Sequence, residues 1–206
     1  FQRETLKILG VPLEKIISSD DHPHIEAQEL IVPSFSSYLG WLSPWGLKFL
    51  RDQFLTPLLQ EKTTSPERIY ICRSSARHRR VLNEEVVIDY LKTREFVPVS
   101  LETLSFQEQI NYFAKAKVII APHGSGLTNL VFCSPQTKVI ELFAPHYIRY
   151  YFWVISQHLA LAHYFVLGEN IPSQFLRELM YQNVLSEDIW LDLERLKKIL
   201  AQAQID

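Results

Sequence analysis

Residues Val118 to Asn129 carry the densest chemical signal in this chain of 206 residues. An apolar run, Val118-Ile119-Ile120-Ala121, meets a Pro122-His123-Gly124-Ser125-Gly126 turn, and Leu127 to Phe132 reads as a helix. That order puts free backbone N–H groups and the positive end of a helix at the tip of a strand, a setting for an anion. Gly124 and Gly126 let the backbone turn and a phosphate approach closely. His123 stands at the rim. The expected ligand is a phosphate or pyrophosphate, carried by a nucleotide-linked donor.

Several familiar alternatives fail on residue identity. A dinucleotide fingerprint would place its third glycine at position 129, which is Asn129, and no Gly-Lys-Ser/Thr follows to make a Walker loop. The His-Gly-Ser-Gly string has some likeness to an esterase oxyanion segment. That chemistry requires a Gly-x-Ser-x-Gly nucleophile, which the other glycines, at 10, 40, 46 and 168, do not supply.

Other candidates lie upstream and downstream of the turn. Arg73, Arg77, Arg79 and Arg80 follow the strand pattern Arg68 to Cys72, at the strand end that should share an edge with His123. The fixed fork of arginine suits phosphate oxygens, which makes Arg73 the first and Arg79 the second candidate. Arg80 reads as solvated, and Asn83 and Glu84 as helix-capping and packing residues. Glu141 ends the next strand, where an acid can accept from ribose hydroxyls. Asp20, Asp21, His22 and His24 cluster without metal-ligand spacing and read as a solvated loop. Of the aromatic run from Tyr147 to Trp153, Tyr147 is placed to face a ligand.

These residues need a frame to hold them. From Arg68 onward strands and helices alternate: strands at 68–72, 96–99, 118–121, 138–143 and 163–167, with helices at 83–92, 105–115, 127–132 and 149–159 between them. A final amphipathic helix, 187–202, is capped by Ser186. Ser105 and Glu108 form a capping box. The alternation predicts an α/β fold with a doubly wound parallel sheet, whose ligands bind beyond the carboxyl ends of the strands. Upstream, a helix tail ends at Gly10, short strands are expected at 15–17 and 29–32, and a helix spans 45–59. Residues 61–66 read as a linker. The expected organisation is a lead-in, 1–62, and a nucleotide-binding domain, 63–206.

Composition sets outer bounds. Hydrophobic content of 47% supports a packed core, and a formal net charge of −2 gives no general attraction to nucleic acid or anionic membrane. Two cysteines and no Asn-x-Ser/Thr acceptor lean towards a reducing, cytoplasmic compartment. No stretch is long and apolar enough to span a bilayer. The first residue, Phe1, implies a fragment of a longer chain.

Taken in order, Arg73, then Arg79-x-Val81-x-Asn83-Glu84, Phe106-Gln107-Glu108-Gln109-Ile110, His123-Gly124-Ser125-Gly126-Leu127-Thr128-Asn129 and Val139-Ile140-Glu141-Leu142 resemble glycosyltransferase family 61. That family includes bacterial capsular polysaccharide proteins, plant xylosyl- and arabinosyltransferases and animal O-linked N-acetylglucosaminyltransferases. The resemblance implies one Rossmann-like half of a two-domain GT-B enzyme, with the other half missing from this chain. It also implies inverting transfer from a UDP-sugar to a glycan or protein hydroxyl, without a metal or other cofactor. Gly124, Ser125, Gly126, Arg73 and Arg79 would hold the diphosphate, Glu141 the ribose, and His123 would be the catalytic candidate. A bacterial member would lie in the cytoplasm, free or membrane-associated; a eukaryotic one in the Golgi or ER lumen. Two other readings stay open: a nucleotide-binding module without catalysis, and a nicotinamide-dependent oxidoreductase.

Overall fold

The structure, a computed structural model, describes residues 2–35, 38, 40–59 and 64–205. The expected linker at 61–66 lies partly outside the described residues. Helix α1 (Gln2–Ile8) ends before Gly10, whose φ of 76° is the left-handed stop expected there. Pro44 at its first turn and the Ser43 hydroxyl, which accepts from the Gly46 N–H at 3.1 Å, start α2 (Pro44–Leu50). A π-helical turn, Arg51–Leu55, carries α2 into α3 (Thr56–Leu58).

The sheet follows. Strand β1 (Arg68–Ile71) leads through α4 (Glu84–Lys92) to β2 (Val97–Val99), then through α5 (Phe106–Lys115) to β3 (Val118–Pro122). A 3-10 helix, Ser125–Phe132, connects to β4 (Lys138–Phe143), and α6 (Tyr151–His158) to β5 (Ala162–Leu167). Helices α7 (Gln174–Met180) and α8 (Leu193–Gln202) close the chain. All pairings are parallel in the order β2-β1-β3-β4-β5. This is the Rossmann-like α/β fold expected. Pro98, which has no N–H to give to a ladder, sits in the edge strand β2. The central strand β3 is buried along its whole length.

Strand alternation splits the core into two layers. Ile69, Ile71, Ile119, Ala121 and Val139 face α5, the 3-10 helix and α6, and this layer also takes in Leu47 and Phe54 from the lead-in. Tyr70, Val118, Ile120, Ile140 and Leu142 face α4 and α8. Both halves of the capping box before α5 are present.

Three expectations change. No strand forms at 15–17 or 29–32: Leu13–Lys15 is a 3-10 turn, and Leu30 and Ile31 are 77% and 82% exposed. A β-prone run without a neighbouring ladder leaves its backbone to water. The last helix begins at Leu193, capped by Asp192, because Ile189 is held in extended form by bonds to the Arg80 carbonyl and from the Leu82 N–H. Helix α7, with Ser173 as its cap, was not expected. Among the described residues no helix is long and apolar enough to cross a membrane.

Arg51 also ties its segment to the end of the 3-10 helix by a charge. Arg51 Nη1 donates to the carbonyls of Val131 and Cys133, at 2.6 and 2.9 Å, where the 3-10 helix ends. Cations at a helix C-terminus satisfy its orphan carbonyls. Arg51→Ala is expected to lower the unfolding free energy by about 2 kcal/mol, read as a lower urea midpoint with an unchanged slope. An unmoved midpoint would show that this clamp does not anchor the lead-in.

Candidate functional site

The chain leaves β1 towards β2 on one side and then returns to β3 on the other, so the loops after β1 and β3 diverge. Such a switch point opens a crevice at the carboxyl edge of the sheet. Arg73 to Arg80 lie in the first loop and His123 to Ser125 in the second.

Gly124 is extended, with φ 171° and ψ 171°, and no side chain caps the 3-10 helix that follows it. Neither Gly124 nor Gly126 uses the left-handed region. Their value is close approach. A Cβ on Gly124 would strike the Arg73 guanidinium, and one on Gly126 would stand 2.8 Å from Leu101 Cδ1. Arg73 is thus packed directly against the turn. Its Nη2 donates to the His78 carbonyl at 3.2 Å, while its buried Nε has no partner. Burial, then the neighbouring charge of Arg79, lowers the Arg73 pKa, and Glu102 opposes that. Glu84 holds the end of β1, accepting from Tyr70 Oη at 3.0 Å and from the Arg73 N–H at 3.2 Å.

Arg79 binds the two loops together. Its φ is 57°, its Nε donates to the His123 carbonyl at 3.1 Å and its Nη1 to that of Leu185 at 2.7 Å. Its guanidinium lies 5.2 Å from the centre of the Tyr147 ring, and that of Arg149 lies 4.6 Å from it. Tyr147 in turn meets the His123 ring edge-on, at 5.3 Å. Arg80 is engaged with Asp188 through its N–H and its guanidinium, at 2.8 and 2.7 Å. Asn83 bonds both backbone groups of Leu191 with its side chain and makes no cap bond.

His123 and Glu141 are only 3% and 1% exposed. Glu141 Oε1 is 2.5 Å from His123 Nδ1, and Oε2 is 3.1 Å from His163 Nε2. Ser156 Oγ reaches His163 Nδ1 at 2.7 Å. The turn that bears His123 separates two cavities. One, of about 590 Å³, is lined by Arg73, Cys72, Gln109, Gly126 and Asn129 with an apolar wall that includes Ile71 and Leu101. The other, of about 430 Å³, is lined by His123, Gly124, Arg79, Tyr147, Tyr151 and Trp41. Ser125 and Thr128 border both.

The expected residues therefore converge: Arg73, Arg79, His123, Gly124, Ser125 and Gly126 meet at one crevice. Glu141 lies beneath it, with its carboxylate turned to two histidines. Asp20, Asp21, His22 and His24 are exposed and outside it, and no group of three or more His, Cys, Asp or Glu among the described residues could hold a metal. The sequence reading passed over His163, Ser156 and Arg149. A register pairing Val139 with His163 brings that histidine beside Glu141. Strand register cannot be read from a single strand's pattern.

The Glycosyltransferase 61 family profile matches residues 4–140. A beta-1,2-xylosyltransferase of Oryza sativa subsp. japonica is 35% identical over 74 residues, 36% of this chain and 13% of its own. The EGF domain-specific O-linked N-acetylglucosamine transferase of Gallus gallus is 31% identical over 81 residues, 37% of this chain and 15% of its own. A beta-1,2-xylosyltransferase of Arabidopsis thaliana is 30% identical over 98 residues, 41% of this chain and 18% of its own. The match thus spans less than a fifth of each relative.

Two outcomes test this geometry. Glu141→Ala strips two buried imidazoles of their shared acceptor and should cost about 3 kcal/mol of stability, measured by chemical denaturation; a loss near zero would contradict the buried contacts. Burial, with Glu84 and Glu102 nearby, pushes the Cys72 thiol up to about 11. The thiol stays protonated at neutral pH, so iodoacetamide should label Cys72 slowly there and progressively faster as the pH approaches that value. Fast labelling at neutral pH would contradict the packing at the end of β1.

Proposed function

Because the chain belongs to the Glycosyltransferase 61 family, we propose that it forms the donor-binding half of a GT-B enzyme that transfers a sugar, with inversion, from a UDP-sugar to a glycan or protein hydroxyl. The observation that carries this reading is the contact of the Arg73 guanidinium with the uncapped turn at Gly124, between two cavities at the switch point. A diphosphate laid across that turn would meet the N–H groups of Ser125 and Gly126 and the guanidinium of Arg73, which lines the larger cavity. Arg79 adds a second cation. The larger, mainly apolar cavity fits the nucleoside, and the smaller aromatic one the sugar.

Negative charge builds on the leaving diphosphate as the transferred sugar becomes oxocarbenium-like. Donors and cations fixed before the reaction stabilise that charge more than the ground state. His123 is the catalytic candidate, since it borders the smaller cavity. Glu141 was expected at the ribose, but both its oxygens face histidines within the fold. We assign it instead to orienting His123. The lead-in, 1–62, contributes Phe54 to the core and Trp41 to the smaller cavity, with the remaining GT-B half supplying the acceptor side. The relatives' printed names, xylosyltransferase and EGF domain-specific transferase, support a hydroxyl of a glycan or of a protein as acceptor. They leave the compartment set by the source, Golgi or ER lumen for a eukaryotic protein and cytoplasm for a bacterial one.

Calorimetric titration tests the reading. UDP should bind in the micromolar range, uridine more weakly, and NADH should not compete. Arg73→Ala should weaken UDP about tenfold, or about 1.4 kcal/mol, with the fold intact. Folded protein that binds NADH and ignores UDP would sink the donor reading.

A further inference from the structure

His123, Glu141, His163 and Ser156 form a line of polar groups in an otherwise apolar layer, three of them almost fully buried and His163 with its side chain only 4% exposed. Glu141 directly follows the segment 4–140 that the family profile matches, and His163 lies in the next strand beyond it. An ionised carboxylate only accepts. Were Glu141 to accept through both oxygens, the hydrogen of His123 would sit on Nδ1 and that of His163 facing Glu141 on Nε2. Ser156 Oγ lies 2.7 Å from His163 Nδ1 and 3.1 Å from the Phe152 carbonyl. When Ser156 gives its single hydrogen to His163 Nδ1, the neutral ring carries its own hydrogen on Nε2, facing Glu141; when Ser156 gives it to the Phe152 carbonyl, the ring keeps that Nε2–H only as an imidazolium that also donates from Nδ1.

One alternative arrangement matters. A protonated Glu141 could donate to His123 Nδ1, which would move the ring hydrogen to Nε2 and present a donor to the cavity. His163 Nε2 stands at the other Glu141 oxygen, so a hydrogen there makes the carboxylate the shared acceptor of two N–H groups. Ser156, wholly buried on α6, fixes the ring. The other groups around His123 are the Arg79 guanidinium at its carbonyl and the rings of Phe143, Tyr147, Tyr151 and Phe152.

We propose that His163 is a positioning residue: through Glu141 it holds His123 as the Nδ1–H tautomer, so that the bare Nε2 accepts a hydrogen bond from a ligand hydroxyl in the smaller cavity. This rests on the donor reading for the ligand's identity and adds a discrimination to it. A phosphate oxygen also accepts, so a neutral Nδ1–H imidazole has no hydrogen to offer it. His123 therefore meets a sugar hydroxyl, and the diphosphate is left to Arg73 and the Gly124–Gly126 turn.

The test is nitrogen NMR of protein labelled with ¹⁵N-histidine, near neutral pH. His123 should show a protonated Nδ1 and a bare Nε2, and His163 a protonated Nε2. A His123 hydrogen on Nε2 overturns the proposal, and this needs no variant. His163→Gln, whose carboxamide can still donate to Glu141, should preserve the His123 pattern, whereas His163→Leu should move the hydrogen to Nε2. A folded His163→Leu protein with an unchanged His123 would remove the positioning role. Saturating UDP should leave the His123 Nε2 signal in place, and UDP-xylose or UDP-N-acetylglucosamine should shift it. A shift with UDP alone, or none with either nucleotide sugar, overturns the hydroxyl assignment. The expected tautomers in protein that binds no UDP would uphold the relay while sinking the donor reading.

Discussion

The site depends on the parting of the chain at the centre of its sheet. Because β1 is flanked by β2 and β3, the connections that leave β1 and β3 head in different directions and expose the carboxyl ends of both strands. Arg73 and Gly124 are far apart in sequence and in contact in space. The arginine fills the volume that a Cβ would need. Arg79 then closes the arrangement, donating to a carbonyl at the end of β3 from the loop after β1.

A buried carboxylate is the second constraint. Glu141 is almost wholly removed from water on a central strand, where an unpartnered charge would carry a heavy desolvation cost. Two imidazoles answer it, from the turn after β3 and from β5, and a serine on α6 holds the second of them. The same set of contacts that makes the acid tolerable also fixes the ring at the cavity wall. Stability and site geometry are coupled here because both rest on the same hydrogen bonds.

The lead-in shows how tertiary context overrides local preference. Ile16, Ile17, Leu30, Ile31 and Val32 have strand-forming side chains, yet they pair with no strand. Trp45 to Leu59 carried a helical pattern and became helix, because Leu47 and Phe54 found the sheet's apolar layer. At the other end Glu187 to Leu191 read as helix, but bonds to Arg80, Leu82 and Asn83 hold that stretch extended. Periodicity identifies which side chains want burial. It is silent on which surface receives them.

By itself the sequence determined the alternation of strands and helices, the capped start of α5 and the meeting of strand, glycines and helix at His123. These follow from local rules: side-chain periodicity and capping chemistry act over a few residues. It also placed Arg73 and Arg79 on the His123 edge, since all strands of a parallel sheet end on one side. Only the tertiary structure decided that Gly124 serves for closeness to Arg73, that Glu141 turns to His163, and that the turn divides two cavities. Each of those depends on strand order and register. They are set by the packing of whole layers, and no short stretch of chain contains that information.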